Sequence, residues 1–247
     1  MSARARGRAA PVALIVTCEH GGNRIPREYR TLFRGFERAL DSHRGYDPGA
    51  LSLAQELAGA TGAPLVFSTV SRLLVELNRS PGHRALYSER TRDLPAQDKS
   101  RIVARYYDPY RRSVEDRVRA AVAKGRRVLH VSSHSFTPVL DGEVRKTDIG
   151  LLYDPARAPE SAFCRDWAAL LGARIAPLRV RRNYPYRGYA DGLTTYLRQR
   201  YPQRAYLGIE IEVNQKHPLH GGRPWRMLRR EIVQSVVDLL QPRRTRT

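Results

Sequence analysis

Apolar runs of strand length alternate along this chain with amphipathic runs of helical period, and nothing else in the sequence restricts its fold as strongly. Strand-like segments are the β-branched stretch around Val12–Val16, residues 64–70, 126–135, 148–154 and 205–215. Residues 72–78 read as a further strand or a continuation of the second. Between them lie helical patterns at 27–40, 48–62, 108–125, 159–172, 193–202 and 224–241, several closed by Gly or opened near Pro. Segments 80–101 and 179–192 are polar and irregular and read as surface loops. Such alternation predicts a single α/β domain with a mixed, mainly parallel sheet flanked by helices. A basic tail at 1–10 is expected to be disordered, leaving 11–245 as the folded domain.

Composition narrows the function. The chain has 247 residues and 41% hydrophobic content, enough for one well-buried core. Its formal charge is +20, mostly arginine spread along the whole chain. That charge would attract polyanions, but no nucleic-acid-binding motif accompanies it, so a solvated arginine-rich surface is the expected reading. A basic nucleic-acid-binding protein without catalysis is the alternative. Cys18 and Cys164 form no CxxC motif and are expected to stay reduced in a cytosolic compartment. No apolar run approaches the ~20 residues needed to cross a bilayer.

Polar clusters fall where strands end, and ligands bind outside the carboxyl ends of strands in open α/β sheets. His20 follows the first strand and precedes two glycines, a setting suited to a metal ligand or a general base. His134 ends a later strand. A zinc hydrolase needs three protein ligands and an open position. Asp47 is a candidate third ligand, or the N-cap of the helix after it. Glu210 and Glu212, two apart, share one face of a strand, and burying both unpaired would be costly. One of them should therefore face a cation or act as general base. Asn78 and Arg79 end a hydrophobic segment, and arginine recognises carboxylates in a two-pronged way. Arg24 and Arg187 are weaker substrate-binding candidates, and Thr194 and Thr195 read as helix caps.

Six segments then carry a resemblance in order: CEHGGNRIP, DSHRGYDPGA, VSRLLVELNRS, YYDPYRRSVEDRV, HVSSHSF and IEVNQ. Together they are similar to the N-formylglutamate amidohydrolase family, related to zinc carboxypeptidases and aspartoacylases. The resemblance implies a zinc carboxypeptidase-like fold and zinc on His20 and His134. It implies Glu212 as the base, with Glu210 in reserve, and Asn78–Arg79 as the site for the substrate's carboxylate. The wider group often carries His-x-x-Glu as its first ligand pair. Asn23 stands at that Glu position here, so the carboxylate ligand is expected from Asp47. The implied reaction is hydrolysis of a small N-formyl or N-acyl amino acid. The same site could instead serve a carboxypeptidase-like or peptidoglycan amidase-like cleavage of a peptide.

Overall fold

The computed structural model describes residues 11–241. The chain forms strand β1 (Val12–Cys18), a 3-10 helix (Arg27–Phe33), α1 (Glu37–Leu40), α2 (Ala50–Thr61) and β2 (Leu65–Phe67). After a long irregular stretch come α3 (Ala96–Ile102), a π-helical turn (Val103–Tyr107) and α4 (Asp108–Ala123). Then follow β3 (Arg127–Phe136), the hairpin β4 (Val139–Leu140) and β5 (Glu143–Val144), β6 (Ile149–Leu152), α5 (Ala158–Arg174) and β7 (Val180–Arg182). The chain closes with α6 (Leu193–Arg200), β8 (Tyr206–Asn214), α7 (Lys216–His220) and α8 (Gly222–Leu240).

The main sheet has six strands in the order β2-β1-β3-β8-β6-β7. All neighbours are parallel except β6, which runs antiparallel to β8. The expected mixed, mainly parallel α/β sheet is therefore present. Every residue of β8, and all but the first of β3, is buried, because helices cover both faces of these central strands.

Alternation along the strands divides the interior in two. Val16, Cys18, Leu129, Val131, Ile209, Ile211 and Val213 point to one face and pack with α2, α5 and α8. Helix α2 buries Ala50, Leu53, Ala54, Leu57 and Ala58, the spacing of a single helical stripe. On the opposite face Ile15 and Val128 join the core under α4 and α6. Towards the strands' carboxyl ends that face turns polar, through Thr17 and His130 and then the residues of the site.

Some local expectations fail for physical reasons. Residues 72–78 are a chain of turns, not a strand. Their apolar side chains Leu73, Leu74, Val75 and Leu77 are buried, but their backbone bonds go to other loops, with Arg72 N–H donating to Gly45 O and Glu76 N–H to Leu86 O. The helical pattern at 27–40 splits at Gly35, whose φ of +73° suits glycine. The irregular segment 80–101 becomes helical from Ala96, and 179–192 contributes the edge strand β7. Both cysteines are free and buried. No described helix is long and apolar enough to cross a membrane. The expected tail at 1–10 lies outside the described residues, as do the last residues of the expected 11–245 domain.

His130 provides a test of the polar face. It is fully buried, with Nε2 2.8 Å from Thr17 Oγ1 and Nδ1 2.7 Å from the Tyr206 hydroxyl. Burial pushes its pKa down to about 4. Below pH ~6.5 the unfolded chain takes up a proton that folded His130 refuses, so stability from this residue is lost as pH falls from ~6.5 towards 4. The expected loss is up to ~3 kcal/mol. Urea unfolding of the parent and of His130→Gln at pH 7 and 4.5 should show a shallower pH dependence in the variant; equal slopes would refute the assignment.

Candidate active site

Strand register builds the site. In the parallel pairing of β3 with β8, Ser132 lies opposite Glu210 and His134 opposite Glu212. All four therefore project from the same face at the carboxyl ends of the central strands. Next door, β1 ends at Cys18, and Glu19 and His20 follow, both buried. On the other side, Gly150 of β6 is in register with Glu212, and a Cβ there would lie 2.0 Å from the Tyr184 carbonyl oxygen. Glycine at this position lets the 183–192 segment cross directly beside Glu212.

Two loops complete the cluster. A Cβ at Gly21 or Gly22 would come within 2.8 Å of the carbonyls of Ser68 and Thr69, so the two glycines allow the 68–79 segment to dock after β1. Asp47 N–H donates to His20 O at 2.9 Å and draws in the loop before α2. The Asp47 side chain does not cap that helix, whose N-cap is Gly49. Instead its Oδ2 lies 3.1 Å from His20 Nδ1 and 2.9 Å from His134 Nδ1. The two imidazole rings stand 4.9 Å apart. Their outer nitrogens are also held: His20 Nε2 bonds Glu76, and His134 Nε2 lies 3.0 Å from Glu19 Oε2. Arg72 bridges the remaining oxygens, with Nε donating to Glu76 Oε2 at 2.7 Å and a terminal nitrogen to Asp47 Oδ1 at 3.3 Å.

The electrostatics show a place that calls for positive charge. Burial works against ionising His20 and His134, and Arg72 adds to this at His20, yet the surrounding carboxylates outweigh these effects and raise both imidazoles. Against the same burial, the pairing holds Asp47, Glu19 and Glu76 well below the usual carboxylate range. Glu212 behaves oppositely. Burial, reinforced by the negative charges of Asp47 and Glu210, pushes it up to about 8. Its Oε2 is buried and bonds to no described residue. One ring nitrogen from each histidine and one Asp47 carboxylate oxygen, all within 4.8 Å of one another, form a three-ligand set that fits a divalent cation. The carboxylates on the outer nitrogens are the partners that orient metal-binding histidines.

His20, Asp47, Arg72, His134 and Glu212 line a cavity of about 490 Å³ that also takes in Asn78, Arg79, Arg187, Glu210 and Tyr186. The structure thus brings together His20, Asp47, His134, Glu210, Glu212, Asn78, Arg79 and Arg187. Arg24 is a correction: it is exposed and does not line the cavity, because its backbone is bonded to the 69–71 segment on the far side of the glycine turn. Thr194 is another, for its hydroxyl donates to Glu210 Oε1 at 2.8 Å instead of capping α6. Thr195 likewise bonds back to Ala190 O. Asn78 presents its Oδ1 to Leu193 N–H at 2.7 Å, and Arg79 donates to the Asp191 carbonyl. Sequence reasoning gave no role to Glu19, Arg72 or Glu76. A charged residue within the apolar run LLVELN was the available signal for Glu76, since a buried carboxylate requires a partner.

The N-formylglutamate amidohydrolase family matches residues 12–217 of the chain. A gene product of Agrobacterium tumefaciens of known structure is 30% identical, with 94% of each chain covered and a TM-score of 0.75. An N-formylglutamate amidohydrolase from Ralstonia eutropha JMP134 shares the fold at a TM-score of 0.69 and 18% identity, covering 95% of this chain and 94% of its own. No curated protein sequence matches. With most of its length matched, including every strand and loop that supplies the cluster, the chain belongs to the N-formylglutamate amidohydrolase family, whose enzymes hydrolyse an amide.

Proposed function

We propose that this chain is a zinc-dependent hydrolase of N-formyl or other N-acyl amino acids, with N-formylglutamate as the first candidate. One observation supports this above the others: His20, Asp47 and His134 converge in a cavity that also holds Glu212, whose buried Oε2 has no described partner, and the Asn78–Arg79 pair. His20 Nδ1, Asp47 Oδ2 and His134 Nδ1 would hold the zinc. When bound, zinc supplies Lewis-acid chemistry, acidifying water and polarising a carbonyl.

The residues of the chain do the rest. Glu212 takes a proton from the attacking water at Oε2 and returns it to the leaving nitrogen, so the C–N bond breaks to give a carboxylic acid and a free amine. Glu210, tied to Thr194, serves as a fixed neighbouring charge. Arg72 places positive charge beside the carbonyl oxygen while tethering Asp47 and Glu76. Asn78 and Arg79 hold the carboxylate of the amino acid, with Arg187 at the exposed edge of the cavity.

A panel of N-formyl and N-acetyl amino acids, assayed with the zinc-loaded full chain, tests the reading. Release of amino acid from a formyl or acetyl substrate is expected; cleavage of peptides only would refute the substrate assignment. Arg79→Lys is expected to raise KM about 10-fold or more with a small change in kcat, because a single ammonium cannot reproduce a two-pronged contact. An unchanged KM would remove Arg79 from substrate recognition.

A further inference from the structure

The segment YYDPYRR stands out in the sequence, yet none of its side chains lines the cavity. It begins within the π-helical turn that joins α3 to α4. A π turn inserts an extra residue and re-aims the side chains that follow, and such turns recur at functional sites. Tyr107, Tyr110 and Arg111 are spaced i, i+3, i+4 and so share one face of the helix. All three are buried.

Each reaches a different support of the site. The Tyr107 hydroxyl donates to the Arg79 carbonyl at 2.6 Å. Arg111 donates to the Leu77 carbonyl at 3.2 Å, its guanidinium lying over the rings of Tyr107 and Tyr196. The carbonyls on both sides of Asn78 are thereby fixed from the same helix. The Tyr110 hydroxyl donates to Glu19 Oε1 at 2.9 Å, and the other oxygen of Glu19 meets His134 Nε2. One helical face therefore contacts both the segment that presents Asn78–Arg79 and the carboxylate that orients His134.

We propose that Tyr107, Tyr110 and Arg111 are positioning residues that set the distance between the carboxylate-binding segment and the metal-binding histidine, an inference that rests on the amidohydrolase reading of the site. Tyr107 and Arg111 hold the substrate half. Tyr110 holds the metal half through Glu19. Residues that only filled the core would lower stability and touch both halves alike.

The test uses Tyr107→Phe and Tyr110→Phe in the zinc-loaded full chain, each losing one hydroxyl and no ring packing. Zinc affinity is measured by chelator competition, and KM and kcat with the best N-formyl or N-acetyl amino acid. Tyr107→Phe is expected to raise KM about 10-fold, the weight of one hydrogen bond, with zinc affinity within about twofold of the parent. Tyr110→Phe is expected to weaken zinc binding about 10-fold, at the low end for loss of an outer partner of a metal ligand, with KM of the zinc-saturated enzyme within about twofold. Equal losses in both readouts from both variants, or no loss in either, would overturn the proposal. Failure of the amidohydrolase reading shows in the parent alone, as zinc binding without hydrolysis of any amide. The Tyr107 arm is then read from the affinity for free glutamate by calorimetry, with the same expected split. A parent that binds neither zinc nor glutamate would overturn both readings.

Discussion

Asp47→Ala is expected to yield a folded protein that no longer retains zinc and no longer hydrolyses its amide. Asp47 Oδ2 is the atom at which the two imidazole Nδ1 atoms meet, and Asp47 Oδ1 is one of the two anchors of Arg72. Removing the carboxylate takes away one of the three proposed ligands and leaves the Arg72 charge beside the two histidines. Losing an outer-shell partner alone costs about 10–100-fold in metal affinity, so a direct ligand should cost more than ~100-fold. The fold should persist, because the backbone bond from Asp47 N–H to His20 O does not depend on the side chain. Metal content after dialysis and the urea unfolding midpoint check both halves. Stoichiometric zinc in the variant would show that the third ligand lies elsewhere.

Glu212→Gln should separate chemistry from binding. Glutamine matches the shape of the carboxyl group but cannot carry the proton, so kcat should fall about 10²–10⁴-fold while zinc content and KM stay near those of the parent. The same variant tests the charge state. In the metal-free protein burial pushes Glu212 up to about 8, from 4.5 for a free side chain. The folded state thus keeps a proton that the unfolded chain releases between those values. Stability from this residue is present below pH ~4.5 and is lost as pH rises through about 8. Glu212→Gln removes that decline, which denaturant unfolding of the metal-free proteins at pH 5 and 8.5 would reveal. A variant with full kcat would make Glu212 a bystander and turn attention to Glu210.

Much of this site was legible in the order of residues, and the legible part has a common cause. Glu210 and Glu212 lie two apart on one strand, so their shared direction follows from spacing alone, while His134 joins them through the register of β3 with β8. His20 follows the first strand, and the carboxyl ends of strands in α/β sheets gather around ligands. The segment 72–78 was misleading because burial alone made it look like a strand. Its Leu and Val residues are buried as a strand's would be, but its backbone is satisfied by loops, and hydropathy does not report where backbone hydrogen bonds go. Arg24 misled in the converse way: it is next to the site in sequence but is exposed and does not line the cavity.

The chain's own pattern determined the α/β architecture, the polar ends of its central strands and the acidic pair on β8, because helix and strand periods and the cost of burying charge act locally. Only the tertiary structure decided that Glu19 serves His134 and not its neighbour His20, that Glu76 and Arg72 close the cluster, and that Asp47 turns from capping a helix to joining two histidines. Those contacts span 27 residues from His20 to Asp47 and 56 from His20 to Glu76. Their formation depends on which strands pair and how loops cross at the sheet's edge. The energy that selects them comes from burying two hydrophobic layers, which no short stretch of sequence contains.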